Sequence, residues 1–193
     1  MHTTKSILYF DRPGPKCLKG CAGAAAMRAA ALDIGHAVCA TTSGRTAVAL
    51  AQALKDAGSP AKVIGVAYAE NYARKWGRLD ARIRSQAEKL GVTFASAGHA
   101  MGGINTAISD KFGTLTPNKL IAQTYYTLGQ GFKVAVEVAL MAADQGLVPA
   151  GREIVALGGS AKGADTALVV RPACSAEFFN LKVAEIICMP RAR

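Results

Sequence analysis

Thr41-Thr42-Ser43-Gly44-Arg45-Thr46 is the stretch of this sequence whose residue types come nearest to doing chemistry. It lies between a short apolar strand, His36 to Ala40, and a helix predicted over Arg45 to Ala57. The first N–H groups of a helix have no partner inside it and sit at the positive end of its dipole. Here the hydroxyls of Thr41, Thr42, Ser43 and Thr46 add donors, Gly44 permits close approach, and Arg45 brings a full charge. Together they suit the dianion of a phosphate group. Serine and threonine also favour the ordinary N-cap position, so these residues alone fit a plain cap as well as a cradle.

A second stretch, Gly158-Gly159-Ser160-Ala161-Lys162-Gly163-Ala164-Asp165-Thr166, joins two apolar strands, Glu153 to Leu157 and Thr166 to Val170. A connection this short makes the two strands antiparallel neighbours. Its glycines serve any tight turn. Lys162 stands at its centre as a cation that can hold an anion, with Ser160, Asp165 and Thr166 around it. Topology joins the two stretches. In a doubly wound sheet of order 3-2-1-4-5, the strand before Thr41 lies beside the strand before Gly158. Both loops then leave adjacent carboxyl ends where the strand order reverses, which is where such sheets bind ligands.

The elements that must position these loops follow from pattern. Ile7 to Phe10 reads as a strand ending at Asp11-Arg12-Pro13-Gly14-Pro15, and an Ala-rich helix spans about Cys17 to Leu32. Lys62 to Ala67 and Val92 to Ala95 are further strands, with a helix over Arg78 to Leu90 between them. Helices over Ile104 to Lys111, Pro117 to Leu128 and Phe132 to Asp144 follow, and Val183 to Cys188 is a last strand. This alternation predicts an α/β fold with a mostly parallel sheet. A chain of 193 residues, 51% hydrophobic, is expected to form a single domain over 1–193. With aromatics at only 6%, its core must be built from Ala, Val, Ile and Leu.

Other chemistries find less support. Cys17, Cys21, Cys39, Cys174 and Cys188 have neither disulfide-framework nor zinc-site spacing, and free thiols suit a reducing, cytoplasmic setting. No membrane association is expected. Met1 to Phe10 lacks a signal-type apolar run, and Val134 to Ala143 is too short and too charged to cross a bilayer. The formal net charge of +10 favours anionic partners. Arg74, Lys75, Arg78, Arg82, Arg84 and Lys89 read as a solvated helix face, since a nucleic-acid platform would interleave more aromatics than Tyr72 and Trp76. Tyr68 and Asn71 follow a strand and can line space for a flat ring, and loop residue His99 can reach the crevice. Glu137 and Asp144 share a helix face, which admits an acid/base pair or packing and capping roles. The apolar helix near 132–144 and the terminal segments exceed the needs of one small sheet, so a homo-oligomer is expected.

Beyond the individual residues, Thr41-Thr42-Ser43-Gly44-Arg45-Thr46-Ala47 resembles the T-K-S-G-R-S-A loop of the pyruvate kinase carboxyl-terminal domain. Glu153 to Thr166 resembles that domain's closing strand–loop–strand hairpin. Gly131-Phe132-Lys133-Val134-Ala135-Val136-Glu137, Met141-Ala142-Ala143-Asp144 and Glu185-Ile186-Ile187-Cys188-Met189-Pro190-Arg191 are similar to patterns in stand-alone archaeal and bacterial proteins related to that domain. The resemblance implies a three-layer α/β/α domain of order 3-2-1-4-5 with the last strand antiparallel, plus short extra terminal strands. It also implies a phosphorylated small molecule as ligand, with FMN associated with some relatives. Carried over, Thr41, Thr42, Ser43, Gly44 and Thr46 would hold the phosphate. Gly158, Gly159, Lys162, Gly163, Ala164 and Asp165 would form the facing wall. Thr42 stands where pyruvate kinase has the loop lysine, which suits one phosphate better than a sugar bisphosphate. The resemblance does not extend to the catalytic barrel of about 250 residues, so pyruvate kinase catalysis is not expected. The expectation is a ligand-binding domain. A flavin-dependent oxidoreductase or sugar-phosphate enzyme is the alternative, and a basic nucleic-acid or protein-interaction module the third reading.

Overall fold

A computed structural model describes residues 2 and 4–192. Its elements in chain order are β1 (Leu8–Phe10), a short 3-10 turn (Pro15–Cys17), α1 (Leu18–Ala31), β2 (His36–Ala40), α2 (Arg45–Asp56), β3 (Lys62–Ala67), α3 (Glu70–Trp76), α4 (Ala81–Lys89) and β4 (Thr93–Ser96). They continue with α5 (Ile104–Phe112), α6 (Pro117–Tyr126), α7 (Gln130–Asp144), β5 (Ile154–Gly158), β6 (Thr166–Arg171), a second 3-10 segment (Ser175–Asn180) and β7 (Lys182–Pro190). Among the described residues seven strands form one sheet in the order β1-β7-β6-β5-β2-β3-β4. The five strands β4-β3-β2-β5-β6 keep the expected 3-2-1-4-5 order, and β6 runs antiparallel to β5. β7 pairs antiparallel with β6, and β1 closes that edge parallel to β7.

Strand residues alternate between two cores because successive side chains point to opposite faces. Val38, Ile154, Ala156, Leu168 and Val170 pack with α7, whereas Ala37, Cys39, Val155, Leu157, Ala167 and Val169 pack with α1 and α2. Fully burying one such valine or leucine contributes about 2 kcal/mol. Cys21, Ala22, Ala25, Ala26 and Ala29 are the buried residues of α1, so small side chains bring that helix close to the sheet and to α2. Arg28 on the same helix donates twice to Glu185 of β7, at 2.5 and 2.6 Å, and so ties α1 to an outer strand.

Three expectations are corrected. The helix expected over Arg78 to Leu90 starts only at Ala81, because the Asp80 carboxylate accepts from the N–H groups of Arg82 and Ile83 and caps it. A separate helix, α3, precedes it. The basic run therefore divides between two helices, with Arg74 and Arg78 paired to Glu70 and Arg84 paired to Glu88. β7 extends through Pro190, which lies opposite Phe10 of β1. Finally, the apolar surface of α7 is covered by this chain itself rather than left over: every residue from Gly131 to Ala143 except Val134 is buried, so the expected homo-oligomer draws no support from this helix. The exposed large apolar side chains include Ile104, Phe112, Leu115 and Leu120, on and between α5 and α6.

The α7–β5 contact is close enough to require glycine. A Cβ on Gly158 would lie 2.1 Å from the Gly131 carbonyl oxygen and 2.6 Å from the Ala135 nitrogen. Because the two nearest obstacles are backbone, Gly158→Ala is expected to lower the unfolding free energy by about 3 kcal/mol. Urea denaturation measures it, and a loss below about 0.5 kcal/mol would be the signature of an ordinary surface position.

Candidate functional site at the carboxyl edge of the sheet

β2 and β5 are parallel neighbours, with Cys39 opposite Leu157, so the chain leaves them side by side at Thr41 and Gly159. β3 and β4 are parallel to β2 and end at the same edge, followed by Tyr68 and His99. Along that edge the order is His99, Tyr68, the loop 41–46 and the loop 158–166.

The loop 41–46 is shaped from within and from behind. Thr41 is buried; its N–H donates to the Val66 carbonyl at 2.9 Å and its Oγ1 accepts from the Gly44 N–H at 3.0 Å. Gly44 has φ 98°, and a Cβ there would stand 2.9 Å from Ile83 Cγ2 of α4. The Asp80 N–H donates to the Ser43 carbonyl at 3.2 Å. No side chain caps the start of α2. Thr42 and Ser43 are half-buried, Thr46 is buried, and Arg45 is exposed. This leaves first-turn amides, two hydroxyl-bearing loop residues and one cation together at the edge.

The loop 158–166 is held by its own acid. Asp165 is buried, and its carboxylate accepts from the N–H groups of Ser160 at 3.0 Å and Gly14 at 3.3 Å and from the Thr166 hydroxyl at 3.0 Å. Gly158, Ala164 and Thr166 are buried with it at the base of the hairpin. Gly159 and Gly163 approach each other across its neck, and Gly163 lies against Pro15 of the turn that leads into α1. Ser160 and Gly163 are half-buried and Lys162 is exposed. Asp165 thus pins this loop to the segment before α1, with its carboxylate engaged inside the protein.

Tyr68 belongs to a ring cluster. Its centroid lies 5.5 Å from Trp76, 6.4 Å from Tyr72 and 5.9 Å from His99, the last nearly parallel at 13°. Tyr72 and Trp76 stack at 5.0 Å. Gly77, the residue after Trp76, approaches the first loop: a Cβ there would lie 3.4 Å from Thr42 Cγ2. Tyr72 and Trp76 join this edge only because α3 forms. Their spacing of four on a short helix was the signal available in the sequence.

His99 also faces inward, to charges on α7. Its Nδ1 is 3.6 Å from Glu137 Oε2, the same oxygen that accepts from Lys133 Nζ at 2.5 Å. Glu137 Oε1 accepts from the Met101 N–H at 2.9 Å. Burial pushes the Glu137 carboxyl up, but hydrogen bonding and charge from His99 and Lys133 outweigh it and bring it down to about 2. A Lys-x-x-x-Glu pair inside an otherwise apolar helix was the legible sign of this cluster. Asp144, by contrast, accepts from the N–H and hydroxyl of Ser175 and takes no part in it. Asn71 is exposed on α3.

No helix among the described residues is long and apolar enough to cross a membrane. No group of three or more His, Cys, Asp or Glu among them is arranged to hold a metal ion. Compared with known families, residues 19–170 match the family model for the pyruvate kinase alpha/beta domain. The matched span runs from the first turn of α1 almost to the end of β6, leaving β1 and β7 outside it.

The Glu137 network carries a pH signature. Its carboxyl titrates near 2 when folded against an ordinary 4.5, so its contribution is complete above the ordinary value and is lost as pH falls towards 2. The full difference is on the order of 3 kcal/mol. Glu137→Gln is therefore expected to be less stable than the native chain at neutral pH. The gap should close steadily below about pH 4.5 in denaturant titrations run across the acid limb.

Proposed function

The chain belongs to the pyruvate kinase alpha/beta domain family, and from that membership and the edge geometry we propose that it is a binding domain for a phosphorylated small molecule. The observation that carries this reading is the pairing of β2 with β5, which sets the uncapped start of α2 beside the loop 158–166. In this reading the first-turn amides of α2, the Thr42 and Ser43 hydroxyls and Arg45 hold one phosphate group. Ser160, Lys162 and Gly163 face it from the neighbouring loop. A dianion gains at a helix start from the dipole as well as from the donors. Thr42, where a lysine would add a second full charge, matches the loop to a single phosphate.

The rest of the ligand extends towards Tyr68, Tyr72 and Trp76. These rings lie on the Thr42 side of the edge and include an exposed indole, so they favour a flat heteroaromatic group over a bare sugar. FMN, with one phosphate and one planar ring system, fits this donor set. Bound there it would supply hydride or electron transfer, while the protein's groups would anchor the phosphate and stack on the ring. The small-molecule reading is favoured over nucleic acid because, in the basic run, Arg74, Arg78 and Arg84 are engaged by neighbouring glutamates.

Ultraviolet–visible spectra and mass spectrometry of the purified protein, followed by calorimetric titration with FMN, test the proposal. FMN is expected to bind, and Thr42→Glu with Ser43→Glu is expected to weaken it at least tenfold, about 1.4 kcal/mol, without lowering the melting temperature. Protein that refuses added FMN would remove the flavin. Binding indifferent to the two glutamates would remove the site.

A further inference from the structure

A lysine needs three hydrogen-bond acceptors, and burial makes each missing one expensive. Lys133 is buried on α7 and donates to Glu137, while its ammonium also lies 5.9 Å from the Tyr126 ring centroid. Nearby, Lys119 of α6 donates to the Ser109 hydroxyl at 3.2 Å. His99 Nε2 is buried and, among the described residues, has no hydrogen-bond partner. All three side chains line one cavity of about 180 Å³ between the His99–Gly102 loop, α5, α6 and the first half of α7.

The balance of groups around this space decides what it can hold. Both oxygens of Glu137 are occupied, by the Met101 N–H and by Lys133. Asp110, exposed on α5, is the other carboxylate of the lining. Asn105, Thr106 and Gln123 add neutral amides and a hydroxyl, while Met101 and Ala122 supply an apolar patch. Donors with capacity left, two of them ammonium groups, thus surround a space with one short apolar wall. A cavity of about 150 Å³ accommodates a six-carbon ring, so this one takes roughly six to eight non-hydrogen atoms.

We propose that the cavity beneath α5 and α6 is a second binding site, for a small organic carboxylate bearing a hydroxyl group. Lys119 and Lys133 pair with the carboxylate, and the neutral side chains of α5 and α6 take the hydroxyl. Met101 and Ala122 cover the carbon skeleton. The site lies on the far side of His99 from the loop 41–46 and uses none of the groups proposed to hold the phosphate. His99 stands at the boundary, with Tyr68 and Tyr72 against its ring and Glu137 beside its Nδ1.

The test is carried out on the whole chain with lactate, malate, glycerol and inorganic phosphate as probes. Binding is followed by calorimetry and by the imidazole signals of His99 in nuclear magnetic resonance spectra. Lactate or malate is expected to bind and to shift the His99 signals, with glycerol and inorganic phosphate shifting them only at concentrations at least tenfold higher. Lys119→Gln, which leaves the Lys133–Glu137 pair intact, is expected to weaken the carboxylate at least tenfold. Thr42→Glu with Ser43→Glu is expected to leave it unchanged, so failure of the phosphate site and failure of this one are separate results. Native protein whose His99 signals ignore both carboxylates would overturn the proposal whatever the variants do. So would glycerol binding as tightly as the acids, inorganic phosphate shifting the His99 signals at the same concentrations as the acids, or carboxylate affinity unchanged in a folded Lys119→Gln protein.

Discussion

The meeting of Gly131 on α7 with Gly158 at the end of β5 is the contact on which the arrangement of this edge depends. A side-chain carbon at either position would collide with its surroundings: with α7 backbone at Gly158, and with Asp165 and Thr166 at Gly131. Their absence lets the helix descend onto the strand end. Two things follow. The start of α7 lies against the base of the loop 158–166, where Asp165 and Thr166 hold the hairpin in shape. One turn further along, Lys133 and Glu137 come to lie under the His99–Gly102 loop. A helix held farther off would leave that carboxylate short of the Met101 amide, because a hydrogen bond weakens steeply beyond its normal length.

The same contact explains how a protein with a large positive charge keeps three charged or titratable groups indoors. Removing one member of a buried ion pair strands the other, which makes such clusters all-or-none. Glu137 satisfies the condition by accepting from a backbone amide as well as from Lys133, with His99 alongside. The cluster therefore clamps the segment after β4 to α7. At the other end of the edge Asp165 does the equivalent work, drawing backbone from before α1 and from its own hairpin onto one carboxylate. Two buried acids thus fasten the loops at either side of the strand-order reversal.

Most of the sheet was legible because its strands are buried on both faces and read as short apolar runs between turn residues. His36–Ala40, Lys62–Ala67 and Ile154–Gly158 stand close to their predicted spans, and the short hairpin forced the antiparallel β6. α3 was not legible. Of its seven residues only Ala73 is buried, so it carries no apolar period, and its helical character rests on local pairing between Glu70 and Arg74. The end of β7 was missed because proline usually stops a strand, whereas here the chain continues through Pro190 and Arg191 donates to the Phe10 carbonyl. α7 misled for another reason: its apolar surface was visible, but the sequence does not say that α6, β5, β6 and the second 3-10 segment cover it. The loops 41–46 and 158–166 were legible as loops, and their adjacency followed from strand order. That Asp165 turns inward was not, since an acid beside glycines reads equally as a ligand or as an anchor.

The uneven distribution of cations along the edge separates the tasks its parts can perform. At the loop 41–46 the cation is Arg45 on an exposed position, and the other donors are amides and hydroxyls that cannot lose a proton near neutrality. In the proposed site, an anion would therefore be held with nearly constant strength over a broad pH range, apart from its own titration. Beneath α5 and α6 the Lys133 ammonium is buried against the Glu137 carboxylate, while Lys119 stands exposed at the rim. Protonating that carboxyl leaves Lys133 without its counter-charge and loosens the Met101 amide in one event, so binding and local packing change together. The His99 side chain touches both the ring cluster and this buried pair. Any influence of one end of the edge on the other has a direct physical route through its ring, which packs against Tyr68 and Tyr72 on one side and lies beside Glu137 on the other.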